Sequence, residues 1–163
     1  MSQSLSKNVI HLVFSTKNRA AMIVPAVREE LCAYMVGILD NRDCHAIIIR
    51  AVQDHVHLLF VLSKNHALAK IVSDVKAVSS KWIKTKGPGL DAFAWQNGYG
   101  AFSVSASNIE SVKKYIDGQE ELARLHLDAE EVALTGRDPD DSLGAPLVGS
   151  ARVAERDFVR LRL

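Results

Sequence analysis

The run "CHAIIIRAVQDHVHLLFVL", residues 44–62, sets the pattern of the whole chain. Its halves "CHAIIIRAV" and "HVHLLFVL" are rich in β-branched and aliphatic residues and flank the polar pair Gln53-Asp54, which reads as strand, turn, strand. Side chains alternate along a strand, so Val56 and Leu58 turn to a core while His55 and His57 share the opposite side. Two imidazoles about 7 Å apart along one face can converge on one ion. Strands alternate polar and apolar residues in any case, so on this pair alone the plainer reading, two surface histidines, has the better claim.

Upstream, "NVIHLVFST" has strand composition and ends in the polar "TKNR". After Pro25, Val27, Leu31, Met35 and Ile38 recur at three- and four-residue steps, one face of an amphipathic helix. Downstream, Leu68, Ile71, Val72, Val75, Val78, Trp82 and Ile83 give a second long helix between His66 and Lys86, stopped by "GPG". "FAWQNGYGAFSVS" then reads as strand, Asn97-Gly98 turn, strand. Ser107 with Glu110 is a capping box that opens a helix through "NIESVKKYIDGQEELARLH". The expected order is β-α-β-β-α-β-β-α, an α+β domain over residues 1–127. From residue 128 the chain turns acidic, with glycine and proline and weak periodicity, so residues 128–163 are expected to form a loose tail.

A chain of 163 residues, 48% hydrophobic, can bury one substantial core. Its formal charge of +1 excludes nucleic-acid binding by bulk charge but leaves room for local basic stripes. One such stripe runs from Lys64 to Lys86, where Lys70, Lys76, Lys81 and Lys84 face a single acid, Asp74. Lys113 and Lys114 form another, and Lys17 and Arg19 a third. These are candidate phosphate contacts, although charged runs are commonly just solvated faces. Cys32 and Cys44 form no CxxC pair, and "MSQSLSKNVIHLVF" lacks a long apolar stretch, so a reducing cytoplasm is expected. No apolar run reaches membrane-spanning length.

In "VKKYIDGQEE", Tyr115 and Gln119 are four residues apart and share one face of a helix, which lets a phenol approach a substrate beside an ion that the amide oxygen helps to hold. Both are also ordinary residues for the border of an amphipathic helix whose Ile109, Val112 and Ile116 face the core. Trp95, Tyr99 and Phe102 can stack on bases or fill the sheet, and core packing suits at least two of them better.

Taken together and in order, "DHVHLLF", a long helix, "WQNGYGAFSVS" and "VKKYIDGQ" resemble the HUH-type single-tyrosine transposases of small bacterial insertion sequences and their REP-associated tyrosine transposase relatives. The resemblance spans about Val9 to Glu121. It implies a ferredoxin-like antiparallel sheet flanked by helices. It implies that His55 and His57 ligate a divalent metal, Mg2+ or Mn2+, with Gln119 as third protein ligand and Tyr115 as nucleophile. The implied activity is cleavage and rejoining of single-stranded DNA at hairpin-bearing element ends through a 5′-phosphotyrosine. The implied assembly is a homodimer whose active sites are shared between chains. The competing reading is a domesticated protein that binds DNA hairpins without transposition.

Overall fold

The computed structural model describes residues 5–119 of the 163-residue chain, so the boundary expected near residue 127 and the acidic tail lie outside the described residues. Its elements are β1 (Asn8–Ser15), α1 (Pro25–Asp40), β2 (His45–Ala51), β3 (His55–Leu62), α2 (Leu68–Ile83), β4 (Gly100–Val104) and α3 (Ile109–Asp117). The four strands form one antiparallel sheet in the order β2-β3-β1-β4, the ferredoxin-like arrangement the resemblance implies. Among the described residues no helix is long and apolar enough to cross a membrane.

Both faces of the sheet are covered, for reasons visible residue by residue. The even-numbered side chains Leu12, Phe14, Val56, Leu58 and Phe60 are fully buried under α1 and α2. Proline suits the first turn of α1, where its missing N–H has no partner to lose. The buried Leu31, Met35 and Ile38 of that helix and Ile71, Val72, Val75 and Ile83 of α2 supply the apolar stripes. On the opposite face a smaller cluster of Val9, Leu59, Val112 and Ile116 seats α3.

Two local expectations fail. "FAWQNGYGAFSVS" forms only β4; its first half contributes a single bridge, Trp95 to Thr16. The cause is α2. The Lys76 ammonium gathers the backbone carbonyls of Gln96, Asn97 and Gly98, and the Trp95 indole donates to the Ser79 hydroxyl at 3.0 Å. Trp95 also meets Phe14 and Phe93 edge-on, with centroids 4.8 and 4.7 Å away. The segment before β4 is thus held against α2 instead of pairing as a hairpin. The capping box is replaced as well, because a 3-10 turn over Ala106–Asn108 precedes α3 and no side chain caps the helix. The Ser107 hydroxyl lies 3.1 Å from that of Ser105.

Candidate active site

The sheet register builds the site. Val13 faces His57 and Ser15 faces His55 across the β1–β3 ladder, and His11 lies two residues from Val13 on the same side. His11 is therefore the diagonal neighbour of His57. On the far side of β1, Phe102 is the register partner of His11. α3 closes this face from above: the Tyr115 ring stands 5.9 Å from that of His57 and 6.2 Å from that of His11, edge-on to both. The rings of His55 and His57 are 5.0 Å apart. One chain thus brings His11, His55, His57 and Tyr115 into a single cluster.

Burial governs the electrostatics. His11 Nε2 and His57 Nδ1 are 3.0 Å apart. Desolvation lowers the pKa of His11 to about 4. It also holds His57 well below the ordinary imidazole value, helped by the neighbouring His55 and His11. Both rings are neutral near pH 7. His55 Nδ1 meets Asp54 Oδ1 at 2.7 Å, and Arg19 bonds the other oxygen of that carboxylate at 3.0 Å. Burial pushes Asp54 upward, but its bond to His55 and the charges of His55 and Arg19 outweigh that and hold the carboxyl below its usual range.

The donor set is compatible with a divalent ion. His57 Nε2 is the one buried side-chain nitrogen or oxygen among the described residues without a hydrogen-bond partner, so its lone pair is not engaged by them. Gln119 is buried one turn beyond Tyr115, and its amide nitrogen donates to the Tyr115 carbonyl at 3.4 Å. Its oxygen, the only carboxamide atom suited to a hard cation, is not used in that bond. Among the described residues no group of three His, Cys, Asp or Glu side chains is disposed to hold a metal.

The basic candidates divide. Lys17, Lys81, Lys84, Lys113 and Lys114 are exposed. Arg19 is committed to Asp54, and Lys76 is half-buried against backbone carbonyls, so its charge serves the fold. Lys81 belongs to α2, on the face of the sheet away from the histidines, and Lys84 caps that helix, whereas Lys113 and Lys114 flank Tyr115 on α3. Of the aromatic candidates, Trp95 is core, Phe102 is half-buried beside His11, and Tyr99 is exposed.

His11 and the pairing role of Asp54 escaped the reading of the sequence. The available signal was parity: in "NVIHLVFS" His11 falls on the same alternation as Val9 and Val13, and an antiparallel partner carrying His-x-His would receive it.

The description "Transposase IS200 like" fits residues 4–119 of the chain. The ISDra2 transposase TnpA of Deinococcus radiodurans is 25% identical over 114 residues, which span 67% of this chain and 81% of that protein. A crystal structure of a transposase candidate from Deinococcus radiodurans superposes with a TM-score of 0.57 at 23% identity, covering 74% of this chain and 98% of that one. The structure of a REP-associated tyrosine transposase bound to a REP hairpin gives a TM-score of 0.52 at 11% identity, covering 91% of this chain and 100% of that one. These two structures share the fold.

Proposed function

We propose, because the chain belongs to the IS200-like transposase family, that it cleaves and rejoins single-stranded DNA at hairpin-bearing element ends through a 5′-phosphotyrosine on Tyr115. The observation that carries the reading is the Tyr115 ring standing 5.9 Å from His57, whose buried Nε2 has no partner among the described residues. The REP-associated transposase with a similar fold is bound to a hairpin, which supports a hairpin as the substrate here.

In the proposed step the Tyr115 oxygen forms a bond to phosphorus as the bond to the 3′ oxygen breaks; the phenol gives up its proton and the departing oxygen gains one. The phosphodiester energy is kept in the tyrosyl ester. A second 3′-hydroxyl can then attack it and return the phenol, so rejoining needs no ATP. His55, His57 and Gln119 would hold Mg2+ or Mn2+, which when bound supplies positive charge against the phosphate oxygens. Tyrosine, with an ordinary pKa of about 10, is a weak nucleophile until its site deprotonates or orients it. Lys113 and Lys114, exposed on α3 next to Tyr115, would hold flanking phosphates. A cytoplasmic setting suits a DNA substrate and the free thiols of Cys32 and Cys44.

The proposal includes a homodimer in which α3 of one chain completes the histidine pair of its partner. The contact of Tyr115 with His57 inside one chain favours a second arrangement, a site built by each chain alone. The test of the chemistry is incubation of labelled hairpin-bearing single strands with the protein, with and without manganese, followed by a denaturing gel. A metal-dependent covalent adduct is expected. Hairpin binding with no adduct under any metal would instead identify a hairpin-binding protein.

A further inference from the structure

We infer that His11 is a positioning residue for the proposed metal site: it accepts the Nδ1–H of His57 and so holds that ring in the tautomer whose Nε2 offers a lone pair to a divalent cation. The inference rests on the reading of His57 as a ligand.

The geometry leaves two settings. His11 Nε2 and His57 Nδ1 are 3.0 Å apart, and the rings meet nearly in plane, with centroids 5.3 Å apart and planes inclined by 22°. A neutral imidazole has one donor and one acceptor nitrogen, so a single proton lies between the two rings. If His11 donated it, His57 would carry its own proton on Nε2. That atom is buried with no acceptor among the described residues, and His57 as a whole is only 5% exposed, so the N–H would go unmet by the protein. If His57 donates, its Nε2 is a bare lone pair. An unmet acceptor is the less costly defect, and a cation resolves it.

Nothing about His11 is loose enough to blur this choice. The residue is 3% exposed, fixed on the central strand between β3 and β4, and walled by Phe102 and Tyr115 with centroids 6.3 and 6.2 Å away. His55 receives the parallel treatment from a different group, since its Nδ1 meets Asp54 at 2.7 Å. Both histidines of the pair are therefore gripped at Nδ1, one by a carboxylate and one by a neutral imidazole. Outer groups of this kind set the tautomer and ring orientation of metal ligands.

The test begins with the metal-free full chain. Long-range proton–nitrogen correlation spectra read which nitrogen of His57 is protonated, and Nδ1 is expected. His11→Phe, which fills the space but accepts nothing, should move the proton to Nε2 and weaken manganese binding by about 10–100-fold. His11→Gln, whose amide oxygen can accept the same N–H, should keep both properties near wild type. A wild-type His57 protonated on Nε2 overturns the inference, as does a folded His11→Phe protein with unchanged tautomer and unchanged manganese affinity. The wild-type spectrum and His11→Gln decide the matter even where His11→Phe does not fold. His57→Ala separates the two layers: if it leaves manganese affinity intact, the ligand reading itself has failed, whereas loss in His57→Ala without loss in His11→Phe removes only the positioning role.

Discussion

The Tyr115 ring meets the His57 ring edge-on, with centroids 5.9 Å apart and planes at 87°. Tyr115→Phe keeps a ring in that contact and removes the proposed nucleophile. Adduct formation should fall by at least about a thousandfold while hairpin affinity and thermal stability stay near wild type. A gel showing an adduct on the Phe variant would mean that another residue attacks.

His57→Ala and Gln119→Ala should each weaken manganese binding by about tenfold or more while changing hairpin affinity far less, because ligands serve the ion and lysines the phosphates. Calorimetric titration of manganese against the metal-free protein decides it. Unchanged affinity in both variants would return His55 and His57 to the role of packed sheet residues.

Shared and self-contained sites differ in a mixture of Tyr115→Phe and His57→Ala chains. Shared sites recover activity, since half of the sites in each mixed dimer pair an intact histidine face with an intact α3, and random exchange restores roughly a quarter of wild-type cleavage. Co-expression of differently tagged variants secures the mixed dimer. No cleavage from a verified mixed dimer places the whole site in one chain.

Acid should destabilise the metal-free protein before carboxylates begin to titrate. The folded pKa of His11 lies at about 4, below the ordinary 6.5, and that of His57 is lowered as well, both chiefly by burial. Between these limits the unfolded chain binds more protons than the folded one, so stability is complete above pH 6.5 and is lost as pH falls toward 4. The surrounding groups, His55, Asp54 and Tyr115, include one carboxylate, and it is already held by His55 and Arg19. For His11 alone the loss is about 3 kcal/mol. Urea midpoints measured in chelator at pH 7.5 and at pH 5 should differ clearly; equal midpoints would show that these imidazoles are not buried as neutral rings.

The basic residues should separate by role. Lys113→Ala and Lys114→Ala are expected to lower hairpin affinity and each reduce the salt dependence by about one unit of slope, if each meets one phosphate. Lys76→Met should instead cost about 1–3 kcal/mol of stability, because three carbonyls lose their shared donor, and leave the salt slope unchanged. A changed slope for Lys76→Met would place its ammonium on DNA.

The elements with a clear period are legible in the sequence. Val27, Leu31, Met35 and Ile38 mark α1, and the alternation of His55 to Phe60 marks both β3 and its faces. The lack of a hairpin at Asn97-Gly98 is not, because the turn preference of two residues is outweighed by Lys76 and Ser79, which lie some twenty positions earlier and act through space. His11 stayed hidden for a related reason. Its contact with His57 depends on the β1–β3 register, between strands that α1, β2 and their loops separate in the chain, and a single histidine in an apolar strand carries no mark of its partner.

Only Val112 and Ile116 of α3 are buried apolar residues, against five buried side chains in each of α1 and α2. At about 1.5–3 kcal/mol for each buried aliphatic side chain, the helix is tethered by a few kcal/mol before the entropy of ordering it is counted. The exposed Arg50–Asp117 ion pair adds at most about 1 kcal/mol. The proposed nucleophile therefore rides on the most lightly anchored of the three described α-helices. Amides of α3 should exchange with solvent through excursions that leave the sheet, α1 and α2 intact, and a segment that detaches without global unfolding is one that two copies of the chain can trade.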